Sequence, residues 1–157
     1  MIVPVRIHEV LPGQPFPSWC SSNELAEFLH VHLRPYEDSL SDIRRGVGDA
    51  LTPHGANAGF VLVAEEEERL LGAVVILRTG MRGYVPPFLL LFVAVDGALR
   101  GRGVGSVLIE EALRRCDGAV KLHVEHANPA RRLYERLGFT NKYAEMRWEP
   151  KGNGEDS

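Results

Sequence analysis

The chain is poor in cysteine, with only Cys20 and Cys116 among 157 residues. They stand far apart and no Cys-x-x-Cys pair occurs, which argues against a disulfide framework and a structural zinc site. No stretch reaches the roughly 18 apolar residues that a membrane-spanning helix needs. The first residues lack a basic flank leading into an apolar stretch, so no signal peptide is expected and a reducing cytoplasm is the expected location. Positive charge is not in excess either. A formal net charge of −3 gives no reason to expect a nucleic-acid-binding face, so any anion site must be local. No internal repeat and no second domain is visible. We expect one domain over residues 1–150 and a polar, flexible tail over 151–157.

What is present is a change of pattern along the chain. Residues 3–10 read as a short strand ended by Pro12 and Gly13. Ser21 and Glu24 have capping-box spacing, and Leu25, Phe28, Leu29 and Leu33 follow at helical period up to Pro35. Ser39 and Asp42 open a second, short helix that turns Leu40, Ile43 and Val47 inward and stops at Gly48. Two strands, Gly59–Glu65 and Leu70–Arg78, flank the run Glu65 to Glu68, which reads as a solvated hairpin turn because four adjacent carboxylates cannot converge on one ion. Phe88 to Val95 is a continuous apolar run, as expected of a central strand buried on both faces.

The pattern then becomes strand, helix, strand, helix. Gly103 to Cys116 is helical, with Val104, Val107, Leu108, Ala112 and Cys116 on one side; Cys116 therefore reads as a core thiol. Val120 to Glu125 is a strand. Asn128 is a good N-cap with Pro129 at the first helical position, Leu133, Tyr134 and Leu137 face inward, and Gly138 ends the helix. Thr140 to Glu149 would supply one or two closing strands. The order describes a mixed α/β architecture.

The residues that carry chemistry sit where a buried strand leads into a helix: Arg100-Gly101-Arg102-Gly103-Val104-Gly105-Ser106. Such a junction aims free backbone N–H groups and the positive end of a helix dipole at one spot, and glycines let a ligand approach the backbone. A phosphate or pyrophosphate is the natural guest; the plain alternative is a tight turn. A Walker loop would need a lysine that is absent here. A dinucleotide loop needs Gly-x-Gly-x-x-Gly, and Gly101-x-Gly103-x-Gly105 is one residue short. Five residues also separate Val95 from Gly101, where a dinucleotide turn follows its strand directly.

Arg100-x-x-Gly103-x-Gly105 after an apolar strand resembles the acetyl-CoA loop of the GNAT superfamily of N-acetyltransferases. Other segments are similar to that family in the same order. Phe60 to Glu65, the turn, and Leu71 to Val75 resemble its central hairpin; Val93-Ala94-Val95-Asp96 resembles the end of its fourth strand. Asn128-Pro129-Ala130-x-x-Leu133-Tyr134-Glu135-x-Leu137-Gly138-Phe139 resembles its last helix and the turn beyond. The likeness covers residues 59 to 140; the first 58 match only in element order. It implies a central mixed sheet of six or seven strands with about four helices, in the order β-α-α-β-β-β-α-β-α-β-(β).

The same resemblance implies roles. Residues 100–106 (Arg100, Gly101, Arg102, Gly103, Val104, Gly105 and Ser106) would hold the pyrophosphate. Phe92, Val93, Ala94 and Val95 would lie along the pantetheine arm, beside a gap between the fourth and fifth strands. Asn128 would contact the cofactor, and Arg131 and Arg132 are either outer phosphate contacts or solvated surface. Tyr134 would be the general acid that protonates the leaving thiolate. The family's acidic residue on the fourth strand is missing here, since Phe88 to Val95 has no ionisable side chain. Glu125 is the first candidate base, followed by His123 and His126. The acceptor, an amine of a small molecule or protein, would meet Glu27, His30, His32, Tyr36 and the loop Arg82 to Pro87. His30 and His32 point apart on a helix and should not share a metal. No metal, nucleic acid or membrane is expected as a partner; a homodimer is possible for such proteins. The competing readings are a CoA-binding sensor or structural module with little or no turnover, and a dinucleotide-dependent enzyme.

Overall fold

The apolar runs of the middle of the chain become one sheet. In the computed structural model, which describes residues 5–151, strands β1 (Arg6–Val10), β2 (Phe60–Glu66), β3 (Arg69–Arg78), β4 (Phe88–Val95) and β5 (Val120–Leu122) lie side by side in that order. The first four are antiparallel to their neighbours, and β5 runs parallel to β4. Helices α1 (Ser22–His32) and α2 (Leu40–Leu51) cover one face, and α3 (Val104–Arg114) and α4 (Ala130–Arg136) the other. β2 and β3 are buried on both faces, which is why their sequences are apolar without alternation.

Two layers of core result. On one side Leu25, Leu29, Ile43, Val47 and Ala50 pack on Val61, Val63, Ala73, Val75, Phe92 and Ala94. On the other, Val104, Leu108, Ile109 and Ala112 pack on Leu62, Val74, Ile76, Phe88 and Leu90. Each fully buried Val, Leu, Ile or Phe side chain among these contributes about 1.5–3 kcal/mol. The local signals act as read: Ser21 Oγ accepts the Glu24 N–H at 3.0 Å while the Glu24 carboxylate accepts the Ser21 N–H at 2.8 Å, and Ser39 Oγ accepts the Asp42 N–H at 3.1 Å. Of the four-glutamate run only Glu67 and Glu68 form the hairpin turn, at positive φ (53° and 60°), whereas Glu65 and Glu66 complete β2 and Glu65 is buried.

One irregularity in β4 sets the edge it presents to β5. Val75 pairs with Phe92 but Ile76 pairs with Leu90, so Leu91 is an extra, bulged residue. Phe88 and Leu90 belong to the α3 side of the core, whereas Leu91 and Phe92 both pack on the α2 side, after which alternation resumes. α2 comes close enough here for a Cβ on Gly46 to lie 2.5 Å from Leu91 Cδ2 and 2.9 Å from Phe92 Cε2. Only Phe88, Leu89 and Leu90 pair with β5. Beyond the bulge the β5-facing edge of β4 has no partner strand among the described residues.

Several expectations need correction. The sheet has five strands among the described residues, not six or seven, and the order ends at α4. Thr140 to Glu149 forms no closing strand: Met146 and Trp148 are 91% and 82% exposed, and an extended segment becomes a strand only with a ladder partner, for which β5 offers three residues. β5 itself stops at Leu122 instead of reaching Glu125. α2 does not stop at Gly48 but runs to Leu51, because Ala50 continues its buried face and outweighs the roughly 1 kcal/mol cost of a helical glycine. α3 ends at Arg114, two residues before Cys116, and buries Ile109, where Val107 is only half-buried. Cys116 packs against the core, and burial raises its thiol to about 11. Residues 3 and 4 of the first expected strand, and 152–157 of the expected tail, lie outside the described residues. No helix among the described residues is long and apolar enough to cross a membrane.

Candidate functional site

The expected gap is a property of the backbone. Parallel pairing holds β4 and β5 together over three residue pairs and then ceases. Phe92 and Ala94, both 5% exposed, point to the α1–α2 side, and Val93 and Val95 pack toward α3. β4 ends where the Asp96 N–H bonds the Leu71 carbonyl at 2.8 Å. A 3-10 turn, Gly97–Leu99, then begins with the Asp96 carboxylate accepting the Ala98 N–H at 2.9 Å.

The glycine loop follows. Gly101 and Gly103 have φ of 83° and 87°, a conformation that L side chains rarely adopt. Gly103 is the N-cap of α3 and supplies no side chain to cap it. The first helical bond runs from the Val107 N–H to the Gly103 carbonyl, so the N–H groups of Val104, Gly105 and Ser106 have no acceptor within the helix. An ideal Cβ on Gly101 would meet nothing within 4 Å, which leaves the loop open from outside. Three elements meet at Gly105, whose Cβ position lies 3.6 Å from both Leu133 Cδ2 of α4 and Val95 Cγ2 of β4. The uncapped end of α3, the unpaired end of β4 and the inner face of α4 are therefore adjacent. This is the geometry an extended anionic ligand needs: donors at one end and a free strand edge beside them.

Tyr134 is fixed by the way α4 stops. The Phe139 N–H bonds the Tyr134 carbonyl and the Gly138 N–H bonds the Glu135 carbonyl, both at 3.0 Å, with Gly138 at φ 102°. This pair of bonds is a Schellman motif, and its apolar contact is made by the rings of Tyr134 and Phe139, 5.9 Å apart and edge to face. The Tyr-Glu-x-Leu-Gly-Phe sequence is thus a helix stop in which the tyrosine is a structural member. Burial pushes the Tyr134 phenol up from its ordinary value, so it holds its proton throughout the neutral range.

Other expected residues are placed differently. Asn128 Oδ1 accepts the Ala130 N–H at 2.9 Å, but α4 starts at Ala130 with Pro129 as its N-cap; the expected boundary shifts by one residue and Asn128 still secures the turn. Glu125, His123 and His126 are exposed and lie beyond the end of β5, with the Glu125 carbonyl accepting the Asn128 N–H. Arg131 turns back on its own chain, toward the His126 carbonyl and the Glu135 carboxylate, and Arg132 is exposed. Arg102 is exposed, whereas the Arg100 guanidinium donates to the His32 carbonyl at the end of α1. His30 Nδ1 faces the Asp38 carbonyl at 3.2 Å while His32 Nδ1 accepts the Gly97 N–H at 3.1 Å, so the two histidines serve different partners. Tyr36 donates to the Ala127 carbonyl at 3.2 Å and ties the α1–α2 connection to the turn after β5. The bulged Leu91 and the Phe139 partner of Tyr134 were not identified from sequence; the first has no signal in an all-apolar run, and the second follows from the Gly138 stop.

A broad surface depression lies elsewhere, among Arg6, His8, Trp19 and Glu65–Glu68 at the β1–β2 end of the sheet. Its carboxylate is already committed, with Glu65 accepting from the Glu68 N–H at 2.9 Å and lying 3.1 Å from His8 Nε2. The β4–β5 gap has the free donors and the unpaired edge, which makes it the candidate site.

Comparison with known proteins agrees with this geometry. A family model described as an acetyltransferase (GNAT) domain matches residues 57–141. A mycothiol acetyltransferase of Arthrobacter sp. (strain FB24) is 29% identical over 96% of this chain, and the chain spans 47% of that protein's length. Among solved structures, a possible acetyltransferase from Clostridium difficile 630 superposes with a TM-score of 0.67 at 17% identity, covering 94% of this chain and 99% of that one. Aminoglycoside N-acetyltransferase AAC(6')-Iy in complex with CoA superposes with a TM-score of 0.65 at 16% identity, covering 95% of this chain and 96% of that one. With the family model spanning more than half its length, and covering the gap, the glycine loop and the Tyr134 helix together, this chain belongs to the GNAT acetyltransferase family.

Proposed function

We propose that the chain transfers an acetyl group from acetyl-CoA to a primary amine of a small molecule or a protein. The observation that carries this reading is the junction at Gly105, where unpaired N–H groups, the free edge of β4 and the helix bearing Tyr134 converge. The N–H groups of residues 103–106 suit the pyrophosphate, and the open edge over Phe92 to Val95 suits the amide-bearing pantetheine arm, which pairs as an added strand. A similar structure solved with CoA supports the choice of ligand.

The reaction then needs two proton transfers. The amine nitrogen attacks the thioester carbon, the tetrahedral intermediate collapses with cleavage of the C–S bond, and the sulfur leaves as a thiolate. A thiol titrates near 8.5 and a phenol near 10, so Tyr134 can protonate the sulfur while staying neutral beforehand. The amine's surplus proton goes to Glu125 directly or through water, and Tyr134 regains its proton from solvent. Glu125 stands in the exposed turn beyond the end of β5.

The test combines ligand binding and turnover. Acetyl-CoA should raise the melting temperature where NAD does not. Tyr134→Phe should lower kcat on the order of 100-fold with KM for acetyl-CoA nearly unchanged. Unchanged turnover in Tyr134→Phe removes it from the mechanism, and a pH–rate profile unaltered by Glu125→Gln removes Glu125 as the base.

A further inference from the structure

We propose that His32 is a positioning residue for acetyl-CoA binding, acting through the loop between β4 and α3. The inference rests on the acetyltransferase reading of that loop. His32 is the last residue of α1, which packs on the opposite face of the sheet from α3. It nevertheless holds the loop at two points. Its ring Nδ1 accepts the Gly97 N–H at 3.1 Å, and its carbonyl accepts the Arg100 guanidinium. In the first bond Nδ1 is the acceptor, which leaves Nε2 to carry the ring N–H. Phe28, one helical turn earlier, packs against the ring with centroids 4.4 Å apart and keeps it aimed at Gly97.

Apart from Asp96, whose N–H bonds the Leu71 carbonyl and whose carboxylate accepts the Ala98 N–H, the loop has few ties of its own. Gly97, Ala98, Arg100, Gly101 and Arg102 are all exposed and bury nothing in the core. Past the first local backbone bond, Leu99 N–H to Asp96 O at 2.8 Å, the next two are long: 3.5 Å for Arg100 N–H to Gly97 O and 3.3 Å for Arg102 N–H to Leu99 O. Two glycines at positive φ follow at once. A segment of this composition samples many conformations unless it is tied at its start, and the direction of the N–H groups at residues 103–106 depends on where it begins. Arg100 takes part as a strap. Its charge sits on the carbonyl end of α1, where a helix dipole favours a cation, so it orders the loop from behind and does not reach forward to a phosphate.

The experiment compares His32→Ala, His32→Asn and the wild type. The side chain is half-exposed, so neither change empties the core, and the melting temperature checks that both fold. Asparagine places Oδ1 near the position of Nδ1 and accepts the same N–H. His32→Ala should raise Kd and KM for acetyl-CoA about five- to tenfold, the usual effect of one hydrogen bond plus a loosened neighbour. Its kcat should stay within about twofold, and amide hydrogen exchange over residues 97–103 in the ligand-free protein should accelerate. His32→Asn should return Kd and exchange to near wild type. Wild-type Kd and exchange in His32→Ala, no rescue by asparagine, or a fall in kcat with KM unmoved would each overturn the proposal. If the wild type binds no acetyl-CoA, the acetyltransferase reading fails, while the exchange comparison still decides whether His32 orders the loop.

Discussion

The two edges of β4 behave differently. Its β3 edge is paired from Phe88 to Val95 at every residue but the bulged Leu91. Its β5 edge is paired over three residues and then abandoned. The first edge joins a meander in which the middles of β2 and β3 are buried, and it supplies cooperativity. The second supplies an open ladder of backbone donors and acceptors next to the uncapped end of α3. On the proposed reading, stability and binding are divided between the two sides of one strand.

The sharpest way to break that division is to delete Leu91. Both Leu91 and Phe92 face α2, so removal of Leu91 leaves every remaining residue of β4 on its present face and lets the strand continue alongside β5. The variant should stay folded, with a melting temperature within several degrees of wild type, yet lose on the order of 100-fold in kcat/KM as the gap narrows. Retention of full activity would show that the gap does not depend on the bulge. Gly46→Val attacks the same place from α2. Its Cβ must displace Leu91 and Phe92, and we expect a loss of about 2 kcal/mol in urea unfolding.

The paired side should respond in stability alone. Replacing Glu67-Glu68 by Asn-Gly suits two positive φ angles better and should add about 1 kcal/mol without altering turnover. Glu65→Gln tests a smaller effect. The Glu68 N–H, followed by the His8 ring, holds the Glu65 carboxyl below its ordinary value. A lowered folded-state value means that its contribution is present at neutral pH and is lost as pH falls through that value. The acid limb of the melting temperature should therefore be flatter in Glu65→Gln.

The same contrast explains what could be read from the chain. Local devices were legible because their signal is local: the Ser21–Glu24 box, the Ser39 cap, the turn at Glu67-Glu68 and the stop at Gly138. The bulge was not, since Leu89-Leu90-Leu91-Phe92 is apolar at every position and carries no parity to interrupt. The gap was anticipated only through family likeness. The early end of β5 and the missing strands over 140–149 were misread for one reason. Ala144, Met146 and Trp148 alternate as a strand should, but alternation reports a face and not the presence of a neighbour. The bond from His32 to Gly97 joins residues 65 positions apart, and nothing in either neighbourhood announces it.

The stop at the end of α4 has a consequence for how variants of this chain will be interpreted. Gly138 is exposed, and a Cβ there would meet nothing within 4 Å, so a survey of tolerated substitutions scored on burial would mark it as permissive. Its φ of 102° admits few other residues, and the bonds that this angle allows are those that seat Tyr134. Substitutions at Gly138 should register in an activity screen as enzyme defects while leaving expression and solubility intact, and the position would be scored as catalytic although it carries no side chain.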